Sequence, residues 1–547
     1  MDIDVTSLRG RRATARWNRT SVGDIFERIT WSYPDKEAFV GCAGAFGTPE
    51  FERVTFREAD AFANQIAHSL LGAGLVSGDR VMLACENSVE AFLALFGSAK
   101  AGLVVVPMNP GLAPDVIAAM IDNVQPRFAI VDASVWDVIS PVLDAAAIDA
   151  RAVIPIGGEL PDGVPTFADW IAPALTTEPD VEIHGDDIWS LVHTSGTTAL
   201  PKASMLTHIA TCFAGYDYAL SYTRGLVVEQ QIRMCSFLPV IHHVTHNESM
   251  IPALIAGGTA IIGRRVDAQG LAEAITKERA TAVWIGSPRF LESLVDVAGS
   301  DRDKYDLSSL TAMMFAWNTI SADLHEKLKD LCAPGFALWE TLGQTESVVS
   351  SRFWLNEWPD KVKAGQNNYV GRPSPLQSAT IVDAEGLSLR GRVGVQGEVV
   401  YRSPALTTGY YRNPEATQEA FRDGWFHSGD CCVYDEDGLF VMVDRFKDIV
   451  KSGGENVSSL RVESVLVAHP DVVQAAVVGI PDDRWGEMVV GVLVARPGSS
   501  PDPDEVIAFA RQRLAGFETP KQVRFVDALP QTLTGKVLKH RVRDDLT

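Results

Sequence analysis

Apolar positions along this chain recur in two alternating periods. Over 59–73 (ADAFANQIAHSLLGA) and 89–101 (VEAFLALFGSAKA) they fall three and four residues apart, which predicts helices. Between them, Asp79-Arg80-Val81-Met82-Leu83-Ala84-Cys85 is a short, nearly continuous apolar run of strand length. Leu103 to Val106, closed by Pro107, and Phe128 to Val131 repeat it, and the pattern continues through Ala260-Ile261-Ile262, Ala282-Val283-Trp284-Ile285 and Ala312-Met313-Met314-Phe315. Strands alternating with helices predict parallel sheets covered on both faces.

After about residue 375 short strands and turns take over: Ala379 to Val382, Gly397 to Tyr401 and Gly438 to Val443 predict a β-rich subdomain. Beyond Asp444 the pattern becomes α+β, with helices over 462–469 and 504–514 and strands over 472–479 and 489–494. Pro497 to Pro503 reads as a surface loop. There are no internal repeats. The expected class is α/β. A large N-terminal domain, 1–445, holds parallel α/β subdomains and a β-rich subdomain. A small mobile α+β C-terminal domain, 446–547, follows a boundary near Arg445-Phe446-Lys447.

Composition narrows the classes. At 547 residues the chain exceeds one core. Its net charge of −22, from 48 basic and 70 acidic residues, argues against a nucleic-acid partner. Seven scattered cysteines (42, 85, 212, 235, 332, 431, 432), without metal-like spacing, predict a reduced, cytoplasmic protein. The pair Cys431-Cys432 reads as part of a strand. No apolar run reaches the ~18 residues of a membrane span. The N-terminal arginines 9, 11, 12 and 16 precede no apolar segment, so no signal peptide is expected.

Candidate chemistry begins after the apolar run 188–192. His193-Thr194-Ser195-Gly196-Thr197-Thr198-Ala199-Leu200-Pro201-Lys202-Ala203-Ser204 is a small-residue, hydroxyl-rich loop with one lysine. Backbone N–H groups and hydroxyls in such a loop donate to an anion, and Lys202 adds charge. Further motifs follow in order: Gly343-Gln344-Thr345-Glu346, Trp425-Phe426-His427-Ser428-Gly429-Asp430, Asp444-Arg445-Phe446-Lys447-Asp448, Lys451-Ser452-Gly453-Gly454-Glu455-Asn456-Val457 and Pro530-Gln531-Thr532-Leu533-Thr534-Gly535-Lys536. Taken singly, each reads as a turn or a charged surface loop. Six in this order, from 193 to 536, resemble the adenylate-forming (AMP-binding) superfamily of acyl-CoA ligases, luciferases and peptide-synthetase adenylation domains. With no carrier domain after the small domain, the resemblance is to an acyl-CoA ligase.

The resemblance implies a role for each motif. Thr194, Ser195, Gly196, Thr197, Thr198 and Lys202 would hold phosphates. Thr345 would contact a phosphate and Glu346 would assist Mg²⁺, a hard cation that prefers oxygen ligands. Asp430 would bind both ribose hydroxyls, Arg445 the ribose or phosphate, and Lys447 would be the hinge. Lys451, Ser452, Gly453, Gly454 and Glu455 would line the CoA tunnel. Glu463 matches the family and Arg461 departs from it. Lys536 would be the catalytic lysine. The acyl pocket would draw on His242, His243, His246, Trp284 to Pro288, Ala316, Trp317 and Gly343. No carboxylate cluster accompanies the three histidines, so pocket lining is preferred to metal binding.

The implied reaction uses ATP, Mg²⁺ and CoA on a hydrophobic carboxylic acid, first as its adenylate and then, after rotation of the small domain, as its thioester. A homodimer is compatible with the sequence. Two departures matter. Ala199 and Ala203 stand where the family has glycines, and a positive φ there would cost on the order of 1 kcal/mol. Trp317 lies in Phe315-Ala316-Trp317-Asn318-Thr319-Ile320-Ser321, where the family shows Gly-Gly-Ala-Pro-Leu-Ser. Both raise the expectation of a weakened ATP-dependent step, the chain then taking preformed acyl-AMP from a separate upstream enzyme. Lys202, Glu346 and Lys536 argue for the full reaction. A non-catalytic acyl-adenylate-binding protein is the other class, with no use for Lys536 and the tunnel loop together.

Overall fold

The structure is a computed structural model that describes residues 19–194, 201–317, 319–364, 368–532 and 536–546. Its first sheet runs Arg151–Ile154, Phe128–Asp132, Arg80–Ala84, Val104–Pro107, Ile188–His193, Ala203–Thr207 in spatial order. The first five strands are parallel and the last is antiparallel. Val104–Pro107 and Phe128–Asp132 are buried at every position, which is why they read as continuous apolar runs. The helix Phe56–Gly72 starts where Thr55 and Glu58 form a reciprocal capping box, and its apolar face joins the core.

The second sheet has fourteen described strands. Its parallel centre comprises Glu37–Gly41, Thr259–Ile262, Arg233–Ser236, Ala282–Gly286, Ala312–Ala316 and Ala337–Gln344. Alternate residues feed two cores: Trp284, Met314 and Trp339 point to one, Val283, Met313 and Leu338 to the other. The β-rich part expected after residue 375 extends this sheet. Asn368–Pro373 pairs with Ser347–Trp354 on one side and Phe440–Arg445 on the other, carrying Trp425–Tyr434, Gly397–Arg402 and Ser378–Val382 beyond it, all antiparallel. Cys431 and Cys432 are buried in the Trp425–Tyr434 strand, and all seven cysteines are free.

Past Lys447 a third, five-stranded sheet (Val450–Ser452, Glu455–Val457, Val472–Asp482, Gly486–Ala495, Gln522–Phe525) packs with helices Ser459–Val467 and Pro503–Arg511 around its own core. Among the described residues no helix is long and apolar enough to cross a membrane.

Candidate active site

The first pair of site residues is set by strand register. Asp430 on Trp425–Tyr434 lies opposite Arg445 on Phe440–Arg445, and Arg445 Nε is 3.1 Å from Asp430 Oδ1. Asp430 is buried, yet neither of its carboxylate oxygens is in a hydrogen bond. Burial raises its pKa, and Arg445 and Lys536 oppose that rise. A buried carboxylate whose two oxygens accept no hydrogen bond is suited to the two hydroxyl donors of a vicinal diol.

Lys536 joins this pair from the far end of the chain. Thr532 and Lys536 close a small loop: Thr532 N–H donates to Lys536 O at 2.8 Å, and Lys536 N–H to Thr532 Oγ1 at 3.1 Å. The Lys536 ammonium interacts electrostatically with Arg445, Lys447, Asp430 and Asp448. Repulsion by Arg445, then burial, then Lys447 lowers its pKa to about 7. His242 also feels Lys536: burial first and this lysine second push its imidazole down to about 4.

The strands on either side of the predicted phosphate-binding segment pair with each other. Ile188–His193 and Ala203–Thr207 pair up to His193 opposite Ala203, and Thr194 N–H donates to Lys202 O at 2.9 Å. Ser195, Gly196, Thr197, Thr198 and Ala199 lie outside the described residues. Ala203 corrects an expectation. It is an ordinary strand residue without positive φ, and its methyl is buried with Val104, Val106, Val124 and Leu191. Alanine there fills core and strains nothing.

The sequence missed Tyr410, which links two of these motifs. Its hydroxyl donates to Glu346 Oε1 at 2.6 Å, and Lys202 Nζ lies 4.2 Å from its ring centroid. Burial and Glu346 raise its pKa, so it stays a donor. The segment 407–411 lies along the hairpin strand: Met205 N–H donates to Gly409 O at 2.9 Å and Tyr411 N–H to Ala203 O at 2.8 Å. A clue was Thr407-Thr408-Gly409-Tyr410, whose glycine has φ +130 and no room for a Cβ, which would lie 2.5 Å from Thr417 Cγ2. Thr345 and Glu346 form the turn between Ala337–Gln344 and Ser347–Trp354, and Gly343 is exposed just before it.

Trp317 takes a left-handed backbone, φ +78, which costs a bulky residue about 1–3 kcal/mol. Its ring centroid is 5.8 Å from that of Trp284, over Gly286, where a Cβ would lie 3.3 Å from Trp317 Cζ3. Trp284 Nε1 donates to Glu248 Oε2 at 3.0 Å, and burial pushes Glu248 up to about 7. His243 opens a short helix, His243–Thr245, that runs into the π-helix His246–Met250, and its Nδ1 lies 3.4 Å from Glu248 Oε1. Burial holds His243 and His246 near 3, so both are neutral. No cluster of three or more metal-ligating side chains occurs among the described residues.

The predicted tunnel residues are not in this cluster. Lys451 and Ser452 end one strand, Glu455 begins the next, and Gly453-Gly454 is the two-residue turn between them, with φ +63 and +87. Both positive φ values demand glycine there. Among the described residues no hydrogen bond, ion pair or ring contact joins this hairpin to Asp430, Arg445 or Lys536. Lys447 is exposed between the two regions.

A buried carboxylate with no hydrogen bond to either oxygen, cations from three distant segments and an α/β frame make a candidate enzyme site for a nucleotide. The chain belongs to the AMP-binding enzyme family: that family's profile matches residues 26–411, and the profile of its C-terminal domain matches 461–536. A feruloyl-CoA synthase of an Amycolatopsis species is 34% identical over 503 residues, covering 90% of this chain and 93% of that protein. The long-chain-fatty-acid–CoA ligase FadD13 of Mycobacterium tuberculosis is 32% identical over 498 residues, covering 90% and 93%. The crystal structure of ATP-bound MatB from Rhodopseudomonas palustris superposes with a TM-score of 0.81 at 27% identity, covering 96% of this chain and 98% of that one.

Proposed function

We propose that this enzyme is an acyl-CoA ligase acting in two steps. In the first, a carboxylate oxygen of the acid attacks the α-phosphorus of ATP; the new C–O–P linkage forms, the Pα–O bond to the β-phosphate breaks, and pyrophosphate leaves with the electron pair. In the second, the CoA sulfur attacks the acyl carbon, its proton is lost to solvent or base, and AMP leaves. The observation that carries this reading is Lys536, which interacts with Asp430, Arg445 and Lys447 although it lies far beyond all three in sequence.

Asp430 would hold the ribose diol and Arg445 the ribose or phosphate, while Lys202 and Lys536 would face the negative charge of the phosphates and the attacking carboxylate. Glu346, oriented by Tyr410, fits one ligand to Mg²⁺. A bound Mg²⁺ would supply charge neutralisation on the phosphates. The acid would lie beside His242, Trp317 and Trp284, whose large apolar faces suit a hydrophobic body. In this reading residues 446–547 are a mobile domain. The conformation described serves the first step, and rotation about Lys447 would bring the Lys451–Glu455 hairpin to the site for the second.

The strained Trp317 favours a second reading, in which the ATP-dependent step is weakened and the enzyme thioesterifies preformed acyl-AMP. The ordinary backbone of Ala203 and the convergence of Lys202, Glu346 and Lys536 weigh against it. One paired assay separates them: ATP, Mg²⁺, CoA and a panel of hydrophobic acids in one arm, acyl-adenylates and CoA without ATP in the other. Acyl-CoA in both arms is expected. Product only in the second arm establishes the half-reaction, and product in neither overturns both readings.

A further inference from the structure

Between the strand that ends at Arg445 and the helix that opens the third sheet's core lies a buried polar chain. Asp444, 1% exposed, spends one carboxylate oxygen on its own strand, where Arg445 N–H donates to Oδ1 at 2.7 Å. Its other oxygen crosses to the far side of Lys447: Oδ2 accepts the backbone N–H of Ser459 and the Ser459 hydroxyl, each at 2.6 Å. Lys539 Nζ reaches the same Ser459 Oγ at 2.5 Å and forms an ion pair with Glu463 Oε1 at 2.8 Å. Glu463 also accepts Val477 N–H at 2.7 Å. Lys539 lies three residues beyond Lys536, at the start of the helix Lys539–Asp544. The chain therefore runs from the strand that holds Arg445, through Ser459, to the segment that carries Lys536.

We propose that Asp444 and Ser459 form a latch that positions Lys536 in the site, and that opens when residues beyond Lys447 rotate away. The inference rests on the two-conformation reading above. Asp444 stays with the Arg445 strand, whereas Ser459, Glu463 and Lys539 move as one unit with their own sheet. Rotation about Lys447 must break the two Asp444–Ser459 bonds, together with the neighbouring bond from the Ser458 hydroxyl to Val443 O at 2.6 Å, and leave the Glu463 and Lys539 contacts intact. Charge-assisted bonds to a buried carboxylate are strong enough to bias a domain equilibrium and few enough to break. Both donors belong to one residue, so a single substitution removes them.

Ser459 also makes the test clean. Ser458 caps the helix Ser459–Val467, accepting from Arg461 N–H, so Ser459 occupies the first helical position. Proline is tolerated there, because its φ suits the helix and no intrahelical N–H bond is lost. Ser459→Pro thus deletes the N–H and the hydroxyl that Asp444 uses while sparing the helix. Ser459→Ala deletes only the hydroxyl and serves as the milder variant.

The acid of highest turnover with the unmodified enzyme is the probe. Its ATP-dependent adenylation and the conversion of its preformed adenylate to acyl-CoA are timed separately. Loss of the two bonds to Asp444, and of the Lys539 contact that goes with the hydroxyl, predicts adenylation slower by about tenfold in Ser459→Pro, less in Ser459→Ala, with the second step within about twofold of the unmodified enzyme. Equal losses in both steps, or none in either, overturn the latch. Trypsin supplies a readout independent of activity, since Lys447 and Lys451 are exposed. Ser459→Pro should be nicked there several-fold faster without ligands, and equal rates overturn the latch even where no acid is adenylated. Failure of every acid in the unmodified enzyme counts against the ligase reading alone.

Discussion

In the proposed reaction Lys536 is the residue on which the chemistry turns, and its surroundings make a pH prediction. Repulsion by Arg445 and Lys447, with burial, holds the ammonium's pKa at about 7. The charged form is full below that value and lost above it. Since kcat/KM reports ionisations of the free enzyme, kcat/KM for adenylation should fall as pH rises through about 7. Lys536→Met should lower it by about 10²-fold or more and abolish that inflection. Initial rates of pyrophosphate release from pH 6 to 9 check both; an unchanged inflection in the variant would assign it to another group. The buried histidines act on stability. His246 is held near 3 in the folded protein against about 6.5 in an unfolded chain, so protons bind the unfolded state first. Its contribution is complete above about 6.5 and shrinks as pH falls toward 3. The raised pKa of Glu248 works in the opposite sense, so the measurable quantity is a difference between variants. Between pH 7 and 4.5, His246→Phe should lose less melting temperature than the unmodified protein.

Elements decide which residues meet. The segment 407–411 is held against Ala203 and Met205 by backbone hydrogen bonds, and it carries Tyr410 to Glu346 and Lys202. Gly409→Ala combines a positive φ with a 2.5 Å clash against Thr417, so the segment must shift. The expected result is a loss of about 1–3 kcal/mol in denaturant unfolding, with adenylation reduced further than Tyr410→Phe reduces it. Adenylation equal to that of the unmodified enzyme would release Tyr410 from any role in holding Glu346. This contact shows where reading the sequence ran out. Val104–Pro107, Phe128–Asp132 and Ala312–Ala316 were legible because buried parallel strands are apolar throughout. Asp430, Arg445 and Lys536 were legible through short motifs of fixed spacing. Tyr410 was not, because its partners lie 64 and 208 positions away by residue number and no local period marks such a pairing. The same holds for Asp444 and Ser459, which read as a charged loop and a helix cap. Ala203 was misjudged because substitution by itself does not reveal whether a backbone is left-handed. For Gly453-Gly454 the sequence offered close ligand approach, and the hairpin turn supplies a sufficient reason of its own.

At the scale of the molecule, one nucleotide site has to serve two reactions with different demands. In the proposed mechanism the first would need Lys536 against the acid and the phosphates, and in the second that space would have to admit a thiol. The structure has Lys536 in place and the Gly453-Gly454 hairpin away from the site, joined through exposed Lys447. If rotation about this residue exchanges the two, fixing its backbone should separate the half-reactions. Proline locks φ near −65° and restrains Phe446 before it, so Lys447→Pro should hold one arrangement. The expected outcome is adenylate formation near the unmodified rate in a single turnover, with conversion of acyl-adenylate to acyl-CoA reduced by about 10²-fold or more. Lys447→Ala, which leaves φ free, should keep both steps and controls for the lost charge. Rapid-quench measurement of adenylate and thioester in one experiment decides the matter. Equal slowing of both steps by proline would mean that Lys447 supports the site rather than turning the domain, and the hairpin would then need another route to the acyl-adenylate.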